Sequence, residues 1–285
     1  MSMTVTDSVP VGPMLSMYDP IYLGNTETGH PAYATLMYRN MLVAGEPGGG
    51  KSVFVNTIIG HAAMSVNTRL VLFDGKIVEF EPWRPIADDV IGPDPEAALI
   101  ALRRLQKILN NRYAYLTAKR KRKITKTDPL SVILVAIDEL AVYSSVLGTP
   151  DQQKEFNALV RDLVARGRAC GMPVIAATQR PSGAGNPPVI EANLRDLFAY
   201  RAAFRCTTPD SSDLILGRGW AKDGYDARTI LPTERGVCYL LAEGGYPTKI
   251  KAAWLSDDDI EHIVDYVTWT RRDSGPDAPG EQVAA

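Results

Sequence analysis

The sequence predicts an α/β fold, a mostly parallel sheet with helices on both faces. Three observations point there. Short apolar, strand-like runs alternate with longer helical stretches through most of the chain. One run, Val132–Ile137, is apolar at every position, as suits a strand buried between two helical layers. A glycine-rich turn, Gly45 to Ser52, joins an apolar run to a helical one.

The elements follow in order. Residues 1–18 mix Pro, Gly, Ser, Thr and Met without periodicity and are expected to be a flexible leader. Ile21–Leu23 and Ala32–Met37 read as strands of a β-hairpin over about 20–38. Met41–Ala44 is a short strand, and Val53–Ser65 a helix. Leu70–Phe73 is a strand ending at Asp74, followed by a loop rich in proline. Glu96 to about Thr117 is a long amphipathic helix, with Leu99, Leu102, Leu105, Ile108 and Leu109 at spacings of one, three and four. Phe156–Cys170 reads as a helix stopped by Gly171. Val174–Thr178, Phe198–Phe204, Val237–Leu241 and Lys249–Ala253 are further strands. Ser256 caps a last helix whose first turn holds Asp257 to Asp259, where carboxylates suit the helix dipole. Residues 272–285 read as a disordered tail, leaving one domain over 19–271.

Composition sets limits. At 285 residues, 45% hydrophobic, the chain can bury a substantial core. Its formal charge of −2 gives no global basic field, so a nucleic-acid partner would have to meet a local patch. The three cysteines, Cys170, Cys206 and Cys238, show neither zinc spacing nor a disulfide framework and read as small buried hydrophobes of a cytoplasmic protein. No apolar run approaches the ~18 residues needed to cross a bilayer, so recruitment to a membrane would need a membrane-bound partner.

Gly45-Glu46-Pro47-Gly48-Gly49-Gly50-Lys51-Ser52 has the spacing of a phosphate-binding loop. Phosphates must meet a ring of backbone N–H groups, and glycines permit that close approach. The helix that begins with Lys51, Ser52 and Val53 turns its positive end to the anion. Lys51 would reach the β- and γ-phosphates, and Ser52 would place its hydroxyl on Mg²⁺. This is the pattern of a P-loop NTPase, with ATP and Mg²⁺ as the expected ligands. Val132–Ile137 closes on Asp138 and Glu139. Open α/β sheets bind ligands at the carboxyl ends of their strands, so Asp138 is the expected second metal-holding group and Glu139 the expected base for the attacking water. Val174–Thr178 ends in Gln179-Arg180-Pro181. Gln179 is read either as a sensor of the γ-phosphate or as a turn residue before Pro181.

Beyond the phosphate loop, a series of strings stands in order over about residues 20–255: Asn40-Met41-Leu42-Val43-Ala44-Gly45, Phe73-Asp74-Gly75-Lys76, Ile137-Asp138-Glu139-Leu140-Ala141, Arg168-Ala169-Cys170-Gly171-Met172, Ala177-Thr178-Gln179-Arg180-Pro181 and Arg201-Ala202-Ala203-Phe204. Together they resemble the motor domain of the FtsK/SpoIIIE family of DNA translocases. The resemblance implies a RecA-like fold and a ring, usually a hexamer, with ATP between subunits and double-stranded DNA through the centre. It implies that Gln179 is a sensor and Arg168 an arginine finger reaching a neighbour's ATP, with Arg166 as the fallback. One departure is the Ser-Arg pair that family members carry in the helix after the Arg-Ile-Ala-Phe strand; here it reads Ser212-Asp213. Chromosomal members add membrane spans before the motor and a winged-helix DNA reader after it. Neither is seen here, which is more similar to mobile-element relatives such as actinobacterial plasmid-transfer proteins.

Lys119-Arg120-Lys121-Arg122-Lys123 is the one concentrated run of charge. It is read as a DNA contact that neutralises phosphates without reading bases, as a solvated helix end, or as a contact with anionic lipid. Trp83, Trp220, Trp254 and Trp269 are expected as core or interface anchors. Two rival functions stand beside a DNA translocase. One is a relative that moves protein in a secretion system; the other is an ATP-binding switch or assembly factor.

Overall fold

The computed structural model describes residues 15–179 and 192–273. Its strands are β1 (Ile21–Thr26), β2 (Pro31–Ala34), β3 (Met41–Ala44), β4 (Thr68–Phe73), β5 (Asp89–Ile91), β6 (Val132–Ile137), β7 (Val174–Thr178), β8 (Tyr200–Phe204), β9 (Val237–Leu241) and β10 (Thr248–Ala252). Its α-helices are α1 (Lys51–Ala63), α2 (Pro95–Ala118), α3 (Pro150–Arg166), α4 (Ala192–Arg195), α5 (Pro209–Leu216) and α6 (Asp257–Asp273). All the strands belong to one sheet in the order β2-β1-β10-β9-β8-β3-β7-β6-β4-β5. From β8 to β5 every neighbouring pair is parallel. From β8 back to β2 every pair is antiparallel. The expected hairpin is therefore an edge extension that joins the parallel core through the late pair β9 and β10.

Alternation along the strands divides the core in two. Leu42, Ile133, Val135, Ile137 and Val174 face the layer of α2, α3 and α5. Met41, Val43, Val132, Leu134 and Ile175 face the layer of α1 and α6. Because both faces are covered, β6 and β7 are buried at every residue, which accounts for their unbroken apolar runs.

Most helix starts are capped by side chains. Asp94 accepts from Glu96 N and Ala97 N at the start of α2, Thr149 and Gln152 form a capping box on α3, and Thr208 accepts from Ser211 N on α5. Ser256 and Asp259 bond reciprocally at the expected cap of α6. Helix α1 differs: Gly50 precedes it and supplies no side-chain cap. Its first N–H groups are left for an outside acceptor.

Several boundaries moved. Residues 15–18, expected in the leader, pack against the domain: Leu15 pairs with Ser65, and Met17 is buried. Residues 1–14 of the leader and 274–285 of the tail lie outside the described residues, and the helix α6 runs through the expected tail start at 272. Helix α3 begins at Pro150 and ends at Arg166, after which Gly167–Cys170 form a short 3₁₀ turn before Gly171. Trp83 is a core anchor whose Nε1 donates to Asn56 at 2.9 Å, whereas Trp254 and Trp269 are exposed rather than buried. The three cysteines are free and buried, as read.

The basic run does not continue α2 but leaves it. The helix stops at Ala118, and Arg120 takes a left-handed φ of 52°. Asp128 organises the turn. Its carboxylate accepts from Lys121 Nζ at 2.6 Å, Tyr115 Oη at 2.7 Å, Thr125 N at 2.7 Å and Thr125 Oγ1 at 2.8 Å. The Lys121 ammonium, and then the Tyr115 hydroxyl, hold the Asp128 carboxyl well below the usual carboxylate range. A depressed folded-state pKa stabilises the fold above the ordinary carboxylate value and ceases to do so as pH falls through the folded one. Asp128→Ala is expected to lower the melting temperature by a few degrees at neutral pH. The gap from wild type should narrow below about pH 4, where the unfolded carboxyl takes up its proton. Thermal melts at both pH values check this.

Candidate nucleotide site

The site lies where β3, β7 and β6 end, side by side in that order. The phosphate loop leaves β3 and turns into α1. Two glycines in it are conformationally required. Gly45 has φ 147°, and a Cβ there would lie 2.6 Å from Phe204 Cβ. Gly50 has φ 106°, and its Cβ would meet Gly236 Cα at 2.7 Å. Gly236 N also donates to Gly49 O at 2.9 Å, which fastens the start of β9 over the loop. Glu46 is held from outside by Arg205, at 2.8 Å, and by the Thr207 hydroxyl.

Lys51 is buried and donates from Nζ to Glu46 O at 2.7 Å, so it bonds within its own loop. Burial pushes its pKa down to about 8, against the pull of Glu139 and Asp138. A lysine so desolvated gains from an arriving anion.

Asp138 and Glu139 close β6 and are both buried. Burial raises the Asp138 carboxyl to about 6, with Lys76 opposing. Lys76 Nζ sits 2.9 Å from Asp138 Oδ2 and 3.2 Å from Glu79. Burial alone would lower the pKa of Lys76, yet these two carboxylates hold it above its ordinary value. The loop carrying Lys76 is pinned by buried Asp74, which accepts from Lys76 N at 3.1 Å and Phe80 N at 2.8 Å. The next residue, Ile77, has φ 73°, an unfavourable backbone for a β-branched side chain. Glu139 accepts from Thr178 Oγ1 at 2.6 Å and from Gln179 N at 2.9 Å. The strand between the loop and the acids thus orients the second acid.

Gln179 and the loop residues Pro47, Gly48, Gly50, Lys51, Ser52 and Val53 line one cleft of about 720 Å³. Its other walls bring in Lys76, Arg235, Lys251 and Trp254, to which the sequence assigned no role in a site. Lys76 stood in a family-like string and could have been found there. The others arrive from distant strands and carry no local signal. Arg180 and Pro181 lie outside the described residues.

Arg168 is not in this cleft. It sits half-exposed in the 3₁₀ turn before β7, at the opposite end of the sheet. The five-residue strand β7 alone spans about 17 Å between them. Arg168 makes no ion pair among the described residues, whereas Arg166 is bound to Asp162, Gln106 and Asn110. The basic run is at the same end, since Ile124 N donates to Ala169 O at 2.9 Å. Within it Lys121 is paired with Asp128, and Lys123 Nζ lies 4.1 Å from the centre of the Tyr38 ring. Lys119, Arg120 and Arg122 are exposed and make no ion pair among the described residues. Asp213, of the Ser212-Asp213 pair, accepts from Gly219 N and Ala221 N, both at 2.8 Å, and so shapes the loop after α5.

Comparison with known proteins agrees with this architecture. The profile of the FtsK/SpoIIIE family matches residues 16–130. The DNA translocase FtsK of Treponema pallidum (strain Nichols) is 32% identical over 268 residues, covering 87% of this chain and 31% of the relative. The DNA translocase FtsK of Bradyrhizobium diazoefficiens is 28% identical, covering 86% of this chain and 33% of the relative. The chain thus spans about a third of the length of these curated relatives. Among solved structures, the pCW3 conjugation coupling protein TcpA, in its monomer form with ATPγS, superposes with a TM-score of 0.75 at 22% identity, over 89% of this chain and 71% of that one. The cytoplasmic domain of the type VII secretion ATPase EccC of Thermomonospora curvata gives 0.68 at 20% identity, over 88% of this chain and 31% of that one. These two likenesses concern the fold. By the profile and the FtsK relatives, residues 16–130 carry the pattern of the FtsK/SpoIIIE family, and the likeness to FtsK extends over most of the chain.

Proposed function

We propose that this chain is an ATP-driven motor that moves double-stranded DNA, works as a ring, usually a hexamer, and serves plasmid or integrative-element transfer. The observation that carries the ATPase part is the meeting of Lys51, Asp138, Glu139 and the Gln179 backbone at the ends of three adjacent strands. The triphosphate would take the N–H groups of Gly48 to Val53 and draw Lys51 off the Glu46 carbonyl. The donor set fits Mg²⁺: Ser52 and Asp138 offer hard oxygens, and Asp138 already holds a cation, the Lys76 ammonium. When bound, that ion neutralises phosphate charge. Glu139 is the base for the attacking water, and its release from Thr178 and Gln179 would report the nucleotide state along β7. Arg168, lacking an ion pair and remote from its own cleft, suits a finger supplied to a neighbour's site.

Lys119, Arg120 and Arg122 are the proposed DNA-facing charges. Replacing all three with alanine is expected to weaken duplex binding for every sequence alike and to lower the salt slope by about 2 to 3, since each phosphate contact contributes about 0.9. Binding titrations at several salt concentrations check this. Work at a membrane would come through a membrane-bound partner; no helix among the described residues is long and apolar enough to cross a bilayer. Displacement of a third strand from a duplex tests translocation itself. The expected result is release that requires ATP and is lost in Lys51→Ala; no release at any protein concentration sinks the motor reading.

A further inference from the structure

We propose that Trp254 is the platform on which the base of the bound nucleotide stacks, so that the cleft takes nucleoside triphosphates rather than polyphosphates in general. This rests on the nucleotide reading of Gly45–Ser52. The cleft has a direction. Asp138 and Lys76 stand at the ends of β6 and β4, to one side of the phosphate loop. A triphosphate whose terminal phosphate meets those groups and Lys51 carries its other end away from them, toward β9 and β10. On that side Gly236 closes over Gly49 and Gly50, and beyond it the walls are Arg235, Lys251 and Trp254.

Trp254 is the one aromatic side chain in the cleft wall among the described residues, and it is 70% exposed. The residue before it is tied down. Ala253 N donates to Leu23 O at 2.9 Å, and Ala253 O accepts from Thr57 Oγ1 at 3.3 Å. These bonds tie the segment to β1 and to α1, the helix that the phosphate loop opens. The indole thus shares a cleft wall with Ser52 and Val53, on the side where the α-phosphate and sugar would emerge from the loop. An indole face stacks on any base, so the contact favours a planar base without choosing among bases. Arg235 and Lys251 add positive charge beside the sugar and α-phosphate.

Calorimetry on the full chain tests this with Mg·ATP and inorganic tripolyphosphate as ligands, for wild type, Trp254→Ala and Trp254→Phe. The expected result is a roughly tenfold loss of ATP affinity in Trp254→Ala, unchanged affinity for tripolyphosphate, and recovery of most of the ATP affinity in Trp254→Phe. ATP affinity unchanged in Trp254→Ala, with or without a loss of self-association, overturns the platform. Equal losses for both ligands also overturn it. If wild type binds neither ligand, the nucleotide reading of the loop fails, and the platform fails with it.

Discussion

Lys51→Ala is expected to abolish ATP hydrolysis, lowering the rate by at least about a hundredfold. The argument comes from burial. Lys51 sits in a desolvated pocket that pushes its pKa down to about 8, and it donates to a neutral carbonyl, Glu46 O. A charge with so little compensation is poised for an anion, and the developing charge on a transferring phosphoryl group supplies one. Alanine removes that charge without disturbing the backbone N–H groups of Gly48 to Val53. Nucleotide binding should therefore weaken less than turnover. Steady-state hydrolysis alongside direct binding separates the two. A variant that hydrolyses ATP within a few-fold of wild type would place the chemistry elsewhere.

Glu139→Gln should leave ATP binding intact and cut turnover by about a hundredfold to ten-thousandfold, the range for losing a general base. Glutamine keeps the size of Glu139 and one acceptor oxygen for Thr178 or Gln179. Its amide N–H₂ then faces the other donor, so a modest loss of thermal stability is expected as well. Glu139→Ala takes the shared acceptor away from both donors and should cost more stability for a similar loss of turnover. Single-turnover hydrolysis and melting curves measured together distinguish a lost base from a disturbed strand end. Full turnover in Glu139→Gln would assign the base to another group.

The parts of the site visible in the sequence are those written locally. Gly45 to Ser52 carries its spacing in eight consecutive residues, and Asp138 and Glu139 stand at the end of a run apolar enough to be a central strand. The role of Thr178 was not visible, because its bond to Glu139 spans two strands far apart in the chain. The same holds for Arg235, Lys251 and Trp254, which reach the cleft only through the antiparallel extension, whereas Lys76, paired with Asp138, was signalled by its place in Phe73-Asp74-Gly75-Lys76. Among the elements, β5 has three residues, too few to show a period. The helix α5 was legible in principle: Thr208, Pro209 and Asp210 make a cap, a first-turn proline and a first-turn acid. The turn that carries the basic run away from α2 was not legible, because nothing in the run's composition announces that Asp128 organises the chain there.

The sheet also explains why one chain would carry nucleotide and track at different ends. Carboxyl ends of the parallel strands hold the phosphate loop and acids, while the turn with Arg168 and the basic run sit beyond their amino ends. In the proposed ring, the first set would serve a subunit's own ATP and the second would face other molecules. β7 runs from the Arg168 turn to Gln179, whose N–H bonds Glu139, so in the proposed motor a change at Glu139 would reach that turn along the strand.

The most direct measurement is the rate of ATP hydrolysis by the full chain with and without linear double-stranded DNA, with Lys51→Ala as the blank. The account predicts strong stimulation by DNA that fades at high salt, diminishes when Lys119, Arg120 and Arg122 are replaced, and is absent in the blank. Hydrolysis that depends on Lys51 but is indifferent to DNA at every salt concentration would contradict a DNA motor and leave an ATPase that moves protein or acts as a switch.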